Sequence, residues 1–233
     1  MSPRSTRVAL FAVAASLVTL GALASGPAAP EAPKKDAAQA GQPAPVPAPA
    51  KKEEPKLATA TFAGGCFWSM EFLFDTVQGV MSTTSGYTGG TKPNPTYEEV
   101  SSGATGHAEA VQVVYDPSKV SYAQLLQSFW HNIDPLTANA QFCDHGHEYR
   151  TAIFFHDAEQ QRLAEESKRQ LEASGRFKAP IVTEIVPAST FYPAEDYHQD
   201  YHQKNPVRYR SYRFGCGRDA RLQQIWGEEA PKH

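Results

Sequence analysis

The chain has 233 residues and a formal net charge of −3. This near-neutral balance excludes a protein that binds nucleic acid or an anionic membrane through a strongly basic face. Residues 57–228 amount to one domain's length of chain and contain no internal repeat.

The N-terminal residues 1–24 have the pattern of a signal peptide. After two arginines, an apolar run over 8–24 ends in Ala22-Leu23-Ala24, a sequence suited to signal peptidase. The run is shorter than the roughly 20 apolar residues that cross a bilayer. We therefore expect an exported protein, periplasmic or secreted, with a membrane tether formed by an uncleaved segment as the alternative.

Residues 25–56 are rich in Pro and Ala, with Lys and Glu between them. A segment of this composition cannot bury enough apolar surface to offset the entropy lost on ordering. We expect a disordered, semi-extended linker.

The first half of the domain predicts three strands and a helix. Residues 57–63 form a weakly alternating strand that breaks at Gly64-Gly65, and a helix follows over Phe67–Asp75. A second strand covers 80–87. Residues 109–115 alternate strictly and form a third strand, which we expect to be central together with the first.

The second half predicts further helices and strands around a long loop. The elements are a helix capped by Ser121, a polar loop over 133–150, a strand over Thr151–Phe155, a helix capped by Asp157, a strand over 181–186, a short helix over 194–204, and a last helix near 221–226 after an irregular stretch. Strands and helices alternating in this order indicate one sheet with helices packed on it.

Three cysteines are present, Cys66, Cys143 and Cys216. Disulfides are ordinary in exported proteins. Because the number is odd, one thiol stays free or the pairing changes during function. The count alone favours one structural disulfide and a buried thiol.

The sequence around Cys66 instead indicates a reactive thiol. Cys66 lies between a predicted strand and a predicted helix, and the partial positive charge of the helix start favours a thiolate. The preceding glycines allow close approach of a ligand, and Phe67 and Trp68 provide an apolar wall.

Glu109 is a candidate proton donor for this thiol. It shares a strand face with Val111 and Val113, so a buried face would press the carboxyl against apolar surface. Burial raises a carboxyl pKa and keeps the group protonated near neutral pH. The alternative is an open strand end with a solvated Glu109.

A metal site is the main competing interpretation of the polar loop. Cys143, Asp144 and several histidines lie there, and His198 and His202 are spaced as helical ligands. The general base of the H-E-x-x-H motif and a C-x-x-C pair are both missing, so we expect no metal. Tyr97 and Tyr149, taken alone, are ordinary packing residues.

A series of short motifs follows in order along residues 57–220. They are Gly64-Gly65-Cys66-Phe67-Trp68 with Glu71, Gly86-Tyr87-Thr88-Gly89-Gly90, Asn94-Pro95-Thr96-Tyr97, Gly106-His107-Ala108-Glu109-Ala110, Tyr115-Asp116-Pro117, Asp134-Pro135, Gln141, Asp144-His145-Gly146, Tyr149-Arg150, and Ala194-Glu195-Asp196-Tyr197-His198-Gln199. Taken together, these motifs are similar to those of the A-type peptide methionine sulfoxide reductases.

The resemblance implies an α+β fold, a two-layer α/β sandwich with a ferredoxin-like core, and reduction of methionine S-sulfoxide, free or in proteins, to methionine. It implies the following roles: Cys66 as nucleophile, Phe67 and Trp68 as the wall around the substrate's S-methyl group, Glu109 as proton donor, Tyr97 and Tyr149 as hydroxyls at the sulfoxide oxygen, and Asp144 as a polar pocket residue.

The resemblance also implies a Cys66 sulfenic acid that a second thiol converts to a disulfide. Residues 209–218 form the C-terminal tail, in which Gly215 and Gly217 flank Cys216, so we expect Cys216 to be mobile and to resolve the intermediate. Cys143 is the rival resolver, and a Cys143–Cys216 pair that relays electrons is a third alternative. The expected donor is an external dithiol such as thioredoxin or a thioredoxin-like protein, with oxidised proteins as substrates, no cofactor and a monomeric enzyme.

Two other functions compete with this interpretation. One is a cysteine hydrolase or acyl transferase with His107 as the base, which requires an imidazole within hydrogen-bond reach of Cys66. The other is a module that buffers metal or thiol with Cys143 and the histidines.

Overall fold

The computed structural model describes residues 56–232. The predicted signal peptide over 1–24 and all but the last residue of the predicted linker over 25–56 lie outside the described residues. No helix within 56–232 is long and apolar enough to cross a membrane.

A six-stranded mixed sheet forms the centre of the fold, in the order β7-β6-β1-β3-β2-β8. Its strands are β1 (Ala58–Gly64), β2 (Val80–Thr88), β3 (Ala108–Tyr115), β6 (Thr151–Phe155), β7 (Glu184–Pro187) and β8 (Tyr192–Pro193), and a separate two-stranded ribbon contains β4 (Ala140–Gln141) and β5 (Asp144–His145). Strands β1 and β3 are central, as the alternation predicted. All pairs in the larger sheet are antiparallel except β6 with β7.

Seven α-helices accompany the strands in the described part of the chain. They are α1 (Phe67–Asp75), α2 (Tyr97–Ser101), α3 (Tyr122–His131), α4 (Ala158–Ala173), α5 (Tyr201–Lys204), α6 (Pro206–Gly215) and α7 (Arg218–Trp226). Strands β1, β2, β3 and β6 with helices α1 and α3 follow the order β-α-β-β-α-β. The predicted α+β class is confirmed.

Two hydrophobic clusters lie on opposite faces of the sheet because side chains alternate along each strand. Phe62 of β1 belongs to the larger cluster and stacks on Phe74 of α1 and Phe129 of α3, with ring centroids 5.0 and 5.2 Å away. The smaller cluster contains Ala63 and Phe154 and has mostly alanine side chains from the central strands. The main helices therefore cover one face of the sheet.

Side-chain caps define where three helices begin. Ser121 and Gln124 form a capping box at the start of α3, as predicted, and Thr96 and Glu99 form another at α2. The Asp157 carboxylate accepts a hydrogen bond from the Gln160 amide at the start of α4. These bonds satisfy backbone N–H groups that have no partner inside the helix.

Two elements differ from the sequence prediction around β6. The long loop over 133–150 contains the β4–β5 ribbon and a 3₁₀ turn, His147–Tyr149. The predicted strand over 181–186 is shorter, since only Glu184–Pro187 pairs with β6. Before it, the Val182 amide bonds to the Pro135 carbonyl, which draws the chain away from the sheet.

The C-terminal prediction was wrong in two places. A continuous helix over 194–204 is interrupted because Asp200 has a left-handed φ of 52°, so only Tyr201–Lys204 is helical. The stretch before 221, expected to be irregular, contains all of α6 and the first turn of α7. Neither helix has a side-chain cap like those of α2, α3 and α4, and the start signal that α6 does carry is Pro206 at its first position.

Candidate active site

Cys66 is the residue at which β1 ends and α1 begins. Its carbonyl accepts the first helical hydrogen bonds of α1, from the Ser69 and Met70 amides. Gly65 has a φ of +80°, and a Cβ at this position would lie 2.5 Å from Cβ of Gln141. The glycine therefore permits both the turn and the close approach of the 133–150 segment.

Gln141 fixes that segment beside the turn. Its side-chain amide is fully buried, donates to the Asp134 and Ala140 carbonyls, and accepts from the Asp134 amide at 2.9 Å. This buried network holds β4 and β5 next to Cys66, and Asp144 at the start of β5 is carried into the site.

Glu109 of β3 is buried beneath the first turn of α1. Its carboxyl is bonded to the Phe67 amide at 3.0 Å, and only 2% of the residue is exposed. Burial raises the pKa of Glu109 to about 8, although the Phe67 hydrogen bond opposes this shift. The predicted burial of this carboxyl is therefore observed, and the alternative of a solvated strand end is wrong.

A small cavity brings the predicted pocket residues together. Its volume is about 80 Å³. The lining side chains are Cys66, Phe67, Trp68, Tyr97, Glu109, Asp144, Tyr149 and Tyr212. Thiol, carboxyl and aromatic wall thus share one space, and the predicted tyrosines lie at its edge.

The surroundings of Cys66 favour the thiol over the thiolate in this structure. Burial raises its pKa, and the nearby carboxyl groups of Glu109 and Asp144 raise it further, while a hydrogen bond from Tyr212 lowers it. The predicted thiolate is therefore wrong for this state, because loss of hydration outweighs the partial charge of the helix start. The thiol must lose its proton during the reaction.

The tyrosines of the cavity also remain protonated. Burial raises the pKa of Tyr97 to about 12, and burial raises that of Tyr149 beyond the ordinary range. Both hydroxyls are neutral hydrogen-bond donors at physiological pH.

Tyr212 was missed by the sequence analysis. Its hydroxyl bonds to the Asp144 carboxyl, and burial raises its pKa. It lies on α6, a helix without a side-chain cap whose sequence was read as irregular. The spacing of Tyr209 and Tyr212, one helical turn apart, was the available signal.

Aromatic stacking fixes the outer wall. The Trp68 indole stacks on Tyr201 with centroids 3.7 Å apart and planes 5° apart, and its Nε1–H donates to Nδ1 of His198 at 3.1 Å. His198 also packs against the Phe67 and Tyr97 rings. His198 is therefore a packing residue of this wall. The other histidine of the pair considered as metal ligands, His202, has its Nε2 3.4 Å from the Asp75 carboxylate.

The disulfide has the pairing of the relay alternative. Cys143 and Cys216 are bonded to each other, with Cα atoms 4.9 Å apart, and Cys66 is a free, buried thiol. Cys216 is the C-cap of α6 and Gly217 the N-cap of α7, so the predicted tail is a turn between two helices. Resolution of the sulfenic acid by Cys216 stays a prediction, because the disulfide contains both candidate resolvers.

Asp144 links this disulfide to the cavity. Its carboxyl oxygen and the sulfurs of Cys143 and Cys216 lie within 4.8 Å of one another, and Asp144 also lines the Cys66 cavity. Within residues 56–232, these three residues form the group whose side chains are of the types that bind metal ions and lie close enough together to do so. Both of its sulfurs are bonded in the disulfide.

His107 lies apart from the thiol. Its Nδ1 accepts from the Gly90 amide at 3.0 Å, its Nε2 is 2.8 Å from the Lys92 carbonyl, and it does not line the cavity. Both ring nitrogens are occupied by backbone groups, so the Cys–His pair that a cysteine hydrolase requires is not formed.

Comparison with known proteins identifies similar chains. Residues 58–230 match the family model for peptide methionine sulfoxide reductase. The peptide methionine sulfoxide reductase MsrA of Bacillus licheniformis is 56% identical over 174 residues, which cover 75% of this chain and 96% of that protein. The MsrA of Listeria monocytogenes is 52% identical over 170 residues, covering 73% and 96%.

Solved structures of similar fold include members of the same family. Mxr1 from Saccharomyces cerevisiae in its reduced form has a TM-score of 0.62 and 32% identity, covering 67% of this chain and 90% of that one. Methionine sulfoxide reductase A of Corynebacterium diphtheriae has a TM-score of 0.59 and 37% identity, covering 66% and 78%.

Proposed function

The chain belongs to the peptide methionine sulfoxide reductase family and reduces methionine S-sulfoxide to methionine, and we propose that Cys66 and Glu109 perform this reduction together. The observation that carries the proposal is the single cavity that both side chains line, with the Phe67 amide bonded to the carboxyl. Both groups can therefore act on one substrate bound in this cavity.

The cavity selects a small group at the end of a side chain. A volume of about 80 Å³ accommodates only a few non-hydrogen atoms, far less than the several hundred Å³ of a drug-sized pocket. Phe67 and Trp68 provide the apolar wall for the S-methyl group. Tyr97, Tyr149 and Glu109 supply donors for the sulfoxide oxygen. Asp144 accepts a hydrogen bond from the Tyr212 hydroxyl, and both of these side chains line the same cavity.

In the first step the Cys66 sulfur attacks the sulfoxide sulfur while Glu109 gives its proton to the oxygen. The carboxylate so formed accepts the thiol proton, so Glu109 ends the step unchanged. The oxygen passes to Cys66 with a hydrogen, giving a sulfenic acid and methionine. A carboxyl with a pKa of about 8 is neutral at pH 7, as this role requires.

In the second step a relay regenerates Cys66. A thiol of Cys216 or Cys143 attacks the sulfenic sulfur, water leaves, and a disulfide to Cys66 forms. The remaining thiol then displaces Cys66 and closes the Cys143–Cys216 disulfide. The presence of that disulfide beside a free Cys66 supports this order.

An external dithiol protein of the thioredoxin type restores the relay pair. Cys143 is exposed at the surface, where a partner's thiolate reaches it. The signal-like residues 1–24 support export to the periplasm or secretion, with a retained N-terminal segment as a tether. We propose repair of oxidised proteins by a monomeric enzyme in that compartment.

A stoichiometry measurement tests the proposal. The fully reduced protein is mixed with methionine S-sulfoxide without a reductant, and methionine is counted per chain. The parent should give about two equivalents, because the relay frees Cys66 for a second attack. Cys143→Ser and Cys216→Ser should each give about one, and Cys66→Ser none.

The R-sulfoxide is the matched control and should remain unreacted. Methionine formed by Cys66→Ser would refute the nucleophile. A parent yield of one equivalent would refute the relay while leaving the reductase function in place.

A further inference from the structure

Arg218, the first residue of α7, has a buried guanidinium that the reaction steps above do not use. Only 2% of the residue is exposed. Its Nη2 donates to the Gly64 carbonyl at 3.2 Å and to the Asn132 carbonyl at 2.9 Å. Its guanidinium carbon lies 4.4 Å from the ring centroid of Phe142.

These contacts connect the backbone segments of all three cysteines. Gly64 is two residues before Cys66, and Phe142 immediately precedes Cys143. Arg218 itself is two residues after Cys216. One side chain therefore spans the nucleophile's turn and both sides of the disulfide, although 77 residues separate Cys66 from Cys143 and 73 separate Cys143 from Cys216 (143 − 66 = 77).

The charge of Arg218 has no carboxylate partner within ion-pair distance among residues 56–232. The other well-buried arginines do have one: Arg150 pairs with Glu184, and Arg213 pairs with Asp219. The buried Nε of Arg218 also lacks a hydrogen-bond acceptor. Burial raises the pKa of the Asp144 carboxyl and the charge of Arg218 opposes this shift, so Asp144 is a partial counter-ion beyond ion-pair distance. A buried cation that is only partly compensated is costly, so its retention needs an explanation.

The cysteines supply a further negative charge during the reaction. Thiolates form transiently whenever a disulfide of the relay opens or closes. Burial, followed by the charge of Arg213, lowers the pKa of Arg218, whereas the Tyr212, Tyr209 and Cys66 groups act in the opposite direction. The interaction with Cys66 is reciprocal, because a cation that gains from a thiolate also stabilises it.

We propose that Arg218 is a positioning residue for the thiol relay, which holds the Cys66 turn, the Cys143 loop and the Cys216 turn in one arrangement and stabilises thiolates there. This inference rests on the proposed reductase function. In the assisted step one thiolate attacks the disulfide to Cys66, the Cys143–Cys216 bond forms, and Cys66 leaves as a thiolate. The proton released by the attacking thiol returns to Cys66, so no other reactant is needed.

The test compares three variants with the parent. Arg218→Met keeps the length but removes charge and donors, and Arg218→Lys keeps the charge alone. Arg176→Met is the control, because Arg176 packs over Trp226 at the other end of α7, pairs with Glu229 and contacts none of the three cysteine segments. Rapid quenching measures the first methionine, which needs Cys66 alone, and the second, which also needs the relay. Thermal unfolding confirms that each variant is folded.

We expect Arg218→Met to slow the second methionine about tenfold relative to the first, with a smaller effect for Arg218→Lys and none on this ratio for Arg176→Met. In oxidised protein Cys66 is the free thiol among residues 56–232, so iodoacetamide reports its thiolate fraction. Alkylation at pH 8 should fall about tenfold in Arg218→Met and stay at the parent rate in Arg176→Met.

Parent-like ratios and alkylation rates in both Arg218 variants would overturn the inference, as would equal slowing in Arg176→Met. If Arg218→Met does not fold, Arg218→Gln provides the uncharged variant. A parent protein that produces no methionine refutes the proposed function instead, so the two failures are distinguishable.

Discussion

The two sides of the cavity are held in place by different kinds of interaction. The β1–α1 turn and β3 supply Cys66 and Glu109 from the centre of the sheet, where short-range patterns and apolar burial fix the backbone. The segment 194–226 supplies Tyr212 to the cavity and Tyr201 behind Trp68, and it is anchored by polar contacts to residues far away in the chain. The structure of the first side depends on residues close together in the sequence, and that of the second side depends on contacts with residues far away in the sequence.

This contrast assigns the first chemical step to the sheet side. Glu109→Gln keeps the shape of the side chain and removes its proton, and general acids contribute about 10²–10⁴-fold to such steps. We therefore expect Cys66 sulfenic acid formation to slow at least about 10²-fold in single turnover, with substrate binding nearly unchanged. In the parent, the rate should be constant below pH 8 and fall above it, as Glu109 loses its proton.

Stability provides the control for this variant. The folded-state pKa of Glu109 is raised above its unfolded value, so its contribution to stability is fully present below about pH 4 and is lost as pH rises through about 8. Glutamine does not titrate, and the free energy of unfolding of Glu109→Gln should depend less on pH in this window. Equal single-turnover rates for the two proteins would rule out the acid role.

The C-terminal side can be tested as a rigid element. Trp226 is 1% exposed, and its Nε1–H donates to the Ile133 carbonyl at 3.0 Å. Trp226→Ala should lower the free energy of unfolding by about 3–5 kcal/mol, as should Phe62→Ala in the sheet core. Urea denaturation measures both values.

If Trp226→Ala leaves the free energy of unfolding unchanged, the C-terminal segment behaves as the mobile tail that the sequence predicts. The proposed difference between the two sides would then be wrong, because the C-terminal contacts would not stabilise the fold. Phe62→Ala serves as the reference for a fully buried aromatic in the same protein.

The sequence predicted most of the sheet side. The bounds of α1 and β6 agree with the prediction, because Gly64-Gly65 and strong apolar patterns mark them. Glu109 was placed on a buried face by alternation alone. These features depend on neighbours close in sequence, and periodicity records such neighbours directly.

The C-terminal side was predicted poorly for a physical reason. Gln199 bonds to both backbone groups of Ser85, and this contact, more than one hundred residues away, fixes the chain before α5. The bond between Cys143 and Cys216 likewise depends on the loop that Gln141 holds in place. Such contacts leave no periodic trace in the sequence.

Helix starts give the smallest and sharpest test of this explanation. The Ser121 hydroxyl accepts from the Gln124 amide, whereas Asn205 at the start of α6 makes no side-chain cap. Ser121→Ala should therefore cost about 1 kcal/mol of unfolding free energy, and Asn205→Ala close to nothing. Urea denaturation at one pH resolves this difference, since a local cap loss leaves the denaturant slope unchanged. If both variants lose the same unfolding free energy, α6 also depends on a local cap. The failure of the sequence to predict α6 would then need another explanation.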